Sequence, residues 1–190
     1  MWCDNCCLLL PLKAGAMAWA TIITLYSTGG GIFLFLDGAY FFFTYPEWQI
    51  YGGISLVVGI TAFLTLCAFS NKSYIWIRAT RFLWSIMIII SAIRAIVIIL
   101  ELQRGKDNII WECNNGGQLY SASVAAGYHT STAFPSQFCA SGFASLNTAW
   151  IIALLVDLAF QLYMCFLTWR YCKRLEHYSD LKTNDDLYYD

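Results

Sequence analysis

Two charged residues stand where charge is hardest to keep. Arg94 interrupts the apolar run "SIMIIISAIRAIVIILEL", Ser85 to Leu102, and Asp157 interrupts "WIIALLVDLAFQLYMCFLTW", Trp150 to Trp169. An arginine near the centre of a membrane-spanning helix costs about 2.5 to 3.5 kcal/mol on insertion scales, so it needs a partner or a wet cavity. Helical spacing puts Thr80, Met87, Ser91, Arg94 and Glu101 on one face, and Asn147, Asp157, Gln161 and Thr168 on another. Polar stripes in lipid turn towards each other, which makes Arg94 and Asp157 a candidate intramembrane charge pair. Counted from the outer ends of the two runs at about 1.5 Å per residue, Arg94 is about 9 Å deep and Asp157 about 16 Å deep. A long guanidinium could largely cover that gap. Asp37 and Glu101, nearer the boundary, compete for Arg94 because arginine stems reach towards water.

The elements that must hold this pair follow from composition. The chain has 190 residues, 59% hydrophobic and only 12% charged, too little charge to cover a water-soluble surface. Four runs reach the length of about 20 residues that a bilayer demands: Ala14 to Leu36, Gln49 to Phe69, Ala79 to Leu100 and Leu146 to Trp169. The fold class expected is an all-α polytopic membrane protein, a four-transmembrane-helix bundle with a disulfide-bonded outer loop between helices 3 and 4. Its parts are a Cys-rich N-terminus over 1–13, a transmembrane domain over 14–169 that includes the outer loop 101–145, and a tail over 170–190. The first run is too long for a signal-peptide core and lacks a basic segment ahead of it, so it is expected to remain in the mature chain. A net charge of −1, with no basic block, argues against nucleic acid as a partner and leaves the lipid bilayer.

Lysine and arginine set the orientation, because they are retained on the cytoplasmic side. With both termini cytoplasmic, Lys13, Lys72, Arg78, Arg81, Arg170, Lys173, Arg174 and Lys182 lie inside and only Arg104 and Lys106 outside. Tyr45, Trp48, Trp76, Trp84, Trp169 and Tyr171 read as interfacial aromatics that mark the ends of the spans. The sequon at Asn71 falls in the cytoplasm and stays unglycosylated.

The eight cysteines sort by compartment. Cys113 and Cys139 lie in the outer loop, where an oxidising environment makes a disulfide the expected state. It would gather a stretch rich in Gly, Ser, Thr and aromatics into a cap able to contact another protein, or it would only shorten a loose loop. Cys3, Cys6 and Cys7 precede the first helix and Cys172 follows the last, the juxtamembrane setting of reversible palmitoylation. Zinc is the alternative for the N-terminal group, but no second cysteine pair or nearby histidine completes a tetrahedral set, so no metal or other cofactor is expected. Cys67 and Cys165 read as small packing residues.

Enzyme signatures are sparse. The two histidines, His129 and His177, fall on opposite sides of the membrane, and no phosphate loop, "HExxH" or serine with a partnered base is present. Small residues do recur at helical spacing, Ala16, Ala20, Thr24 and Thr28 on the first helix and Ser55, Gly59 and Ala62 on the second, which lets helices approach closely. Gly29, Gly30 and Gly31 predict a bend or tight packing in the first helix. In the tail, Tyr178 and Leu181 of "YSDL" have the spacing of a tyrosine-based sorting signal, which a clathrin adaptor reads as an extended peptide. A disordered charged tail fits the same residues.

The layout of a cysteine-rich start, four spans, a long third connection and a tyrosine-bearing tail resembles the lysosome-associated transmembrane family, and "CDNCCLLLPLKAGAMAWATI" is similar to the start of its first span. The proline-tyrosine tail motifs of that family are missing, so recruitment of a ubiquitin ligase is not implied. "WECNNGGQLY" with "LVDLAFQLYMCFLTWRYCKRLEHY" resembles fungal four-span membrane proteins of uncharacterised function, a likeness that carries topology and not activity. The Cys-Cys-Gly loop motif of true tetraspanins is absent. Two functional classes are expected. The first is a non-enzymatic scaffold, trafficking adaptor or accessory subunit, in the plasma membrane or in Golgi, endosome or vacuole, binding other membrane proteins or a second copy of itself. The second is a small transporter or proton-coupled carrier that uses Arg94 and Asp157.

Overall fold

The computed structural model describes residues 5–6, 10–41, 46–71, 73–121, 124 and 136–188. A two-residue antiparallel ladder opens the chain, with β1 (Asn5–Cys6) placing Asn5 opposite Pro11 and Cys6 opposite Leu10 of β2 (Leu10–Pro11). The rest is helical: α1 (Leu12–Asp37), a 3₁₀ turn (Gly38–Phe41), α2 (Glu47–Asn71), α3 (Tyr74–Arg104), α4 (Lys106–Asn114) and α5 (Ser136–Tyr188). Four of these, α1, α2, α3 and α5, are long and apolar enough to cross a membrane.

The four long helices form an up-down-up-down bundle. The connection between α2 and α3 is only residues 72–73, which forces those two helices antiparallel. Each helix packs on its sequence neighbour, and α5 closes the ring against both α3 and α1. Glycine allows the closest approach, between α1 and α2. A Cβ added at Gly31 would stand 3.1 Å from the Gly52 carbonyl oxygen, and one at Gly59 only 2.9 Å from Thr28 Oγ1. The expected small-residue face is largely in this seam, where Ala16, Ala20 and Ala62 have no exposed surface.

Two hydrophobic clusters share the interior. One, around Ile23, Val58, Phe69, Trp84 and Met164, fills the half of the bundle where α1 begins. The other, around Phe41, Trp48, Ile98, Leu102 and Leu154, fills the half nearer α4. Between them sits a polar layer containing Ser55, Ser91, Arg94, Asp157 and Gln161, all buried.

Several sequence expectations change here. Trp84 is fully buried and its indole N–H donates to Thr65 Oγ1 at 3.0 Å; Trp48 and Tyr171 are also buried. These rings pack between helices, while Trp76 and Trp169 keep exposed faces. The stretch 101–145 is not one irregular loop. Helix α3 runs to Arg104, α4 follows after Gly105, and α5 has begun by Ser136. Glycine punctuates this region: Gly116 and Gly117 end α4 at φ 72° and 80°, with the Gly117 N–H returning to the Glu112 carbonyl at 2.9 Å. Gly142, at φ 76° and ψ 157°, breaks α5 into two helical pieces. The packed unit also outruns Trp169, because Cys172 is buried and the Tyr74 hydroxyl donates to Glu176 Oε1 at 3.1 Å.

Candidate functional site

Arg94 on α3 and Asp157 on α5 meet inside the bundle. The guanidinium Nη2 donates to Asp157 Oδ2 at 2.6 Å, and each residue is only 6% exposed. Nη1 donates to the Ser55 hydroxyl, which brings α2 into the same site. One helical turn beyond Asp157, Gln161 presents its amide on the same face and donates Nε2–H to Asp157 Oδ2 at 3.0 Å. Three helices are therefore tied through one charge pair.

The depth offset expected from sequence disappears, and the reason is register. The contacts Tyr74–Glu176 and Arg94–Asp157 have residue numbers that add to nearly the same total, so α3 and α5 run past each other without slip. Leu146 is then level with Arg104 and not with Leu100, a boundary error of four residues, or about 6 Å at a helical rise of 1.5 Å per residue. Neither competitor holds Arg94: Glu101 instead pairs with Arg104, one turn along α3, at 3.0 Å.

A cavity of about 540 Å³ adjoins the pair. It lies along the seam between α1 and α5, with Ser27, Gly30 and Phe33 on one wall and Trp150 and Leu154 on the other, and it reaches Ser55, Arg94 and Asp157 at its floor. Several polar groups around the site are buried without a hydrogen-bond partner: Ser27 Oγ, Ser91 Oγ, Arg94 Nε and Gln161 Oε1. The Tyr26 hydroxyl donates to the Ala153 carbonyl at 2.9 Å and laces the seam. Further along, towards the start of α1, Trp19 packs edge-on against Phe160 and Tyr163 and closes it. Chemically, the arrangement neutralises a charge pair and leaves unused hydrogen-bonding groups around it, of which Ser27 and Arg94 belong to residues that line the pocket.

The other sequence candidates do not join this site. Cys113 and Cys139 are disulfide-bonded and clamp α4 to the start of α5. Beside them lies Glu112, which sequence reading overlooked: it has no exposed surface, its Oε1 accepts the Tyr120 N–H at 2.9 Å, and its Oε2 has no partner among the described residues. Burial pushes its carboxyl up to about 7, only partly opposed by that backbone N–H. The one signal available was its position on α4, where Ile109 and Glu112 share a face by i, i+3 spacing.

Cys172 packs in the core with Sγ 3.7 Å from Glu176 Oε1, so attaching an acyl chain there would require the end of the bundle to open. Cys3, Cys7 and His129 lie outside the described residues, and Cys6 is described only as backbone of β1. Tyr178 and Leu181 lie on the helical backbone of α5, whereas an adaptor would read them extended. Cys67 and Cys165 are free thiols, partly buried within α2 and α5. No family model, curated protein or solved structure matches this chain.

Proposed function

We propose that this chain is a non-enzymatic four-span membrane protein, a scaffold, trafficking adaptor or accessory subunit that binds other membrane proteins. The observation that carries the reading is a contrast between the interior and the disulfide-clamped cap. Inside, the Arg94 charge is met by Asp157, Ser55, Thr65 and Trp84 tie helices together, and Gln161 supports Asp157 from its own helix. On the cap, outside the four candidate spans, Ile110 is 37% exposed, Trp111 39% and Val124 42%. Large apolar side chains exposed on a cross-linked surface fit a protein contact, and aromatic anchors of this kind dominate such contacts.

In this reading both termini are cytoplasmic, the cap is on the other side, and the protein resides in the plasma membrane or an endomembrane. Cys3, Cys6 and Cys7 then become candidates for acylation, and Tyr178 and Leu181 a sorting signal if the end of α5 unwinds. Purification from the native membrane in mild detergent should bring a stoichiometric partner, and Ile110→Ser with Trp111→Ser should reduce its recovery about tenfold. Recovery of the chain alone, unchanged by the double substitution, would sink the reading. An impermeant thiol reagent applied to sealed cells should reach Cys113 and Cys139 only after reduction; labelling of Cys3 would invert the topology.

A second reading, a small transporter or proton-coupled carrier, is favoured by one observation: the cavity touches both Arg94 and Asp157. It requires flux in proteoliposomes that contain this chain alone and that stops with Asp157→Asn.

A further inference from the structure

We propose that the crevice between α1 and α5 is a binding site for an uncharged, hydroxyl-headed membrane amphiphile, with its polar head at Ser27, Arg94 and Asp157 and its apolar body along the seam. This goes beyond partner binding and does not rest on it. The crevice has the size of a small-molecule site, about 540 Å³, within the range of about 300 to 1,000 Å³ usual for ligand pockets. It opens on the outer surface of the bundle, where Leu25 is 70% exposed and where a Cβ added at Gly29 or Gly30 would meet nothing within 4 Å. A guest therefore enters sideways, from the lipid side.

The chemistry of the floor selects the head. Ser27 is 4% exposed, lines the crevice and has no hydrogen-bond partner; Arg94 is 6% exposed, lines it too, and its Nε–H is unpartnered. Buried donors left in this state are costly; both atoms lie just beneath the crevice surface, so a guest oxygen would satisfy them with a small shift of the lining side chains. Asp157 accepts both of its hydrogen bonds on Oδ2, which leaves Oδ1 to accept from a guest. A hydroxyl group both donates and accepts, so it matches this set. A charged head does not, because Arg94 and Asp157 already neutralise each other at 2.6 Å and a third charge would be buried without a counter-ion. The walls, Phe33, Leu34, Ile98, Trp150 and Leu154, suit a hydrocarbon body.

Photolabelling of the purified full chain in proteoliposomes tests the assignment with three diazirine probes: a cholesterol analogue, hexadecanol and hexadecanoic acid. At least one of the two hydroxyl probes should label α1 near Leu25 to Leu34, or α5 near Leu146 to Asp157, in a saturable manner competed by its unlabelled parent. Which of the two labels distinguishes a sterol from a long-chain alcohol. Gly30→Phe, which fills the mouth, should lower labelling about tenfold, and Ser27→Ala about threefold, the size of one lost hydrogen bond. Gly53→Phe, on the open face of α2 where a Cβ also meets nothing, should leave it unchanged. If Gly30→Phe does not yield a monodisperse protein, the Ser27→Ala ratio decides alone. Labelling that does not saturate or that ignores these substitutions means bulk lipid fills the crevice, and stronger labelling by hexadecanoic acid means an anionic guest; either overturns the proposal. Partner recovery in mild detergent is a separate readout, so failure here leaves the scaffold reading standing.

Discussion

Asp157 and Glu112 are both buried carboxylates, yet Asp157 receives a guanidinium and an amide, whereas Glu112 receives a single backbone N–H. The difference follows from where each sits. Asp157 lies in the middle of a long bundle, where α3 delivers Arg94 to it, its own helix delivers Gln161 one turn along, and α2 delivers Ser55 to the other arm of the guanidinium. Glu112 lies on the nine-residue α4 next to a disulfide-bonded cysteine, and among the described residues no cation reaches its carboxyl. Burial in company fixes helices together. Burial without it leaves a group whose protonation matters to the fold.

That contrast can be broken most forcefully at Arg94. Arg94→Ala strands the Asp157 carboxylate and should destabilise the bundle by about 3 to 5 kcal/mol, as removing one partner of a buried pair does. Adding Asp157→Ala should restore much of that loss, read as the thermal midpoint of the purified protein or as the fraction reaching the cell surface. A double mutant equal to the sum of the two singles would show that the residues are not energetically coupled.

The cap should respond next. Reduction, or Cys113→Ser, frees a loop whose ends are 26 residues apart in sequence and should cost about 3 kcal/mol in the chain-entropy model. Hydrogen exchange should show the loss confined to α4 and the start of α5 while the Arg94 layer stays protected. Equal deprotection of both would mean that the two regions form one cooperative unit.

Glu112 gives a pH-dependent effect, at most of similar size. Its carboxyl is protonated in the folded cap up to about pH 7, whereas in the unfolded chain it ionises above the ordinary value of 4.5. The folded state thus binds the extra proton between those limits, so stability is full below the lower one and falls as pH rises through the upper one. At about 1.4 kcal/mol per unit of pKa difference, the full loss should be at most about 3 kcal/mol by linkage. Glu112→Gln should flatten the profile between pH 5 and pH 8, measured as cap opening by hydrogen exchange. A wild-type profile already flat over that interval would refute the assignment.

The smallest effect belongs to a neutral tie. Trp84→Phe removes the indole hydrogen bond to Thr65 and keeps most of the ring, and should cost about 1 kcal/mol, in line with interhelical hydrogen bonds in membranes. A loss as large as that of Arg94→Ala would mean that ring packing, and not charge pairing, dominates the bundle.

By itself, the sequence determined the number of helices long and apolar enough to span a membrane, the pairing of Cys113 with Cys139 as the expected cross-link, and the polar stripes that carry Arg94 and Asp157. Each is a local signal: a run of sufficient length, a compartment, or a spacing of three and four residues. Ser55 was legible only as a small residue, and its hydroxyl became a partner of Arg94 once α2 packed beside α3. Only the tertiary structure decided the register of α3 against α5, because the ends of spans read from hydropathy err by a turn and a turn moves a side chain by about 5 Å. Only it decided that Trp84 packs inside and that Gly29 and Gly30 flank a crevice while Gly31 packs on α2. The reason is that in a membrane both the protein interior and the lipid are apolar, so a uniformly apolar helix carries little information about which face turns inward. Glu112 escaped for the complementary reason. Its carboxyl is met by the returning Tyr120 N–H, after a turn through two glycines at positive φ and beside a disulfide-bonded cysteine, an arrangement that exists only once the cap has closed.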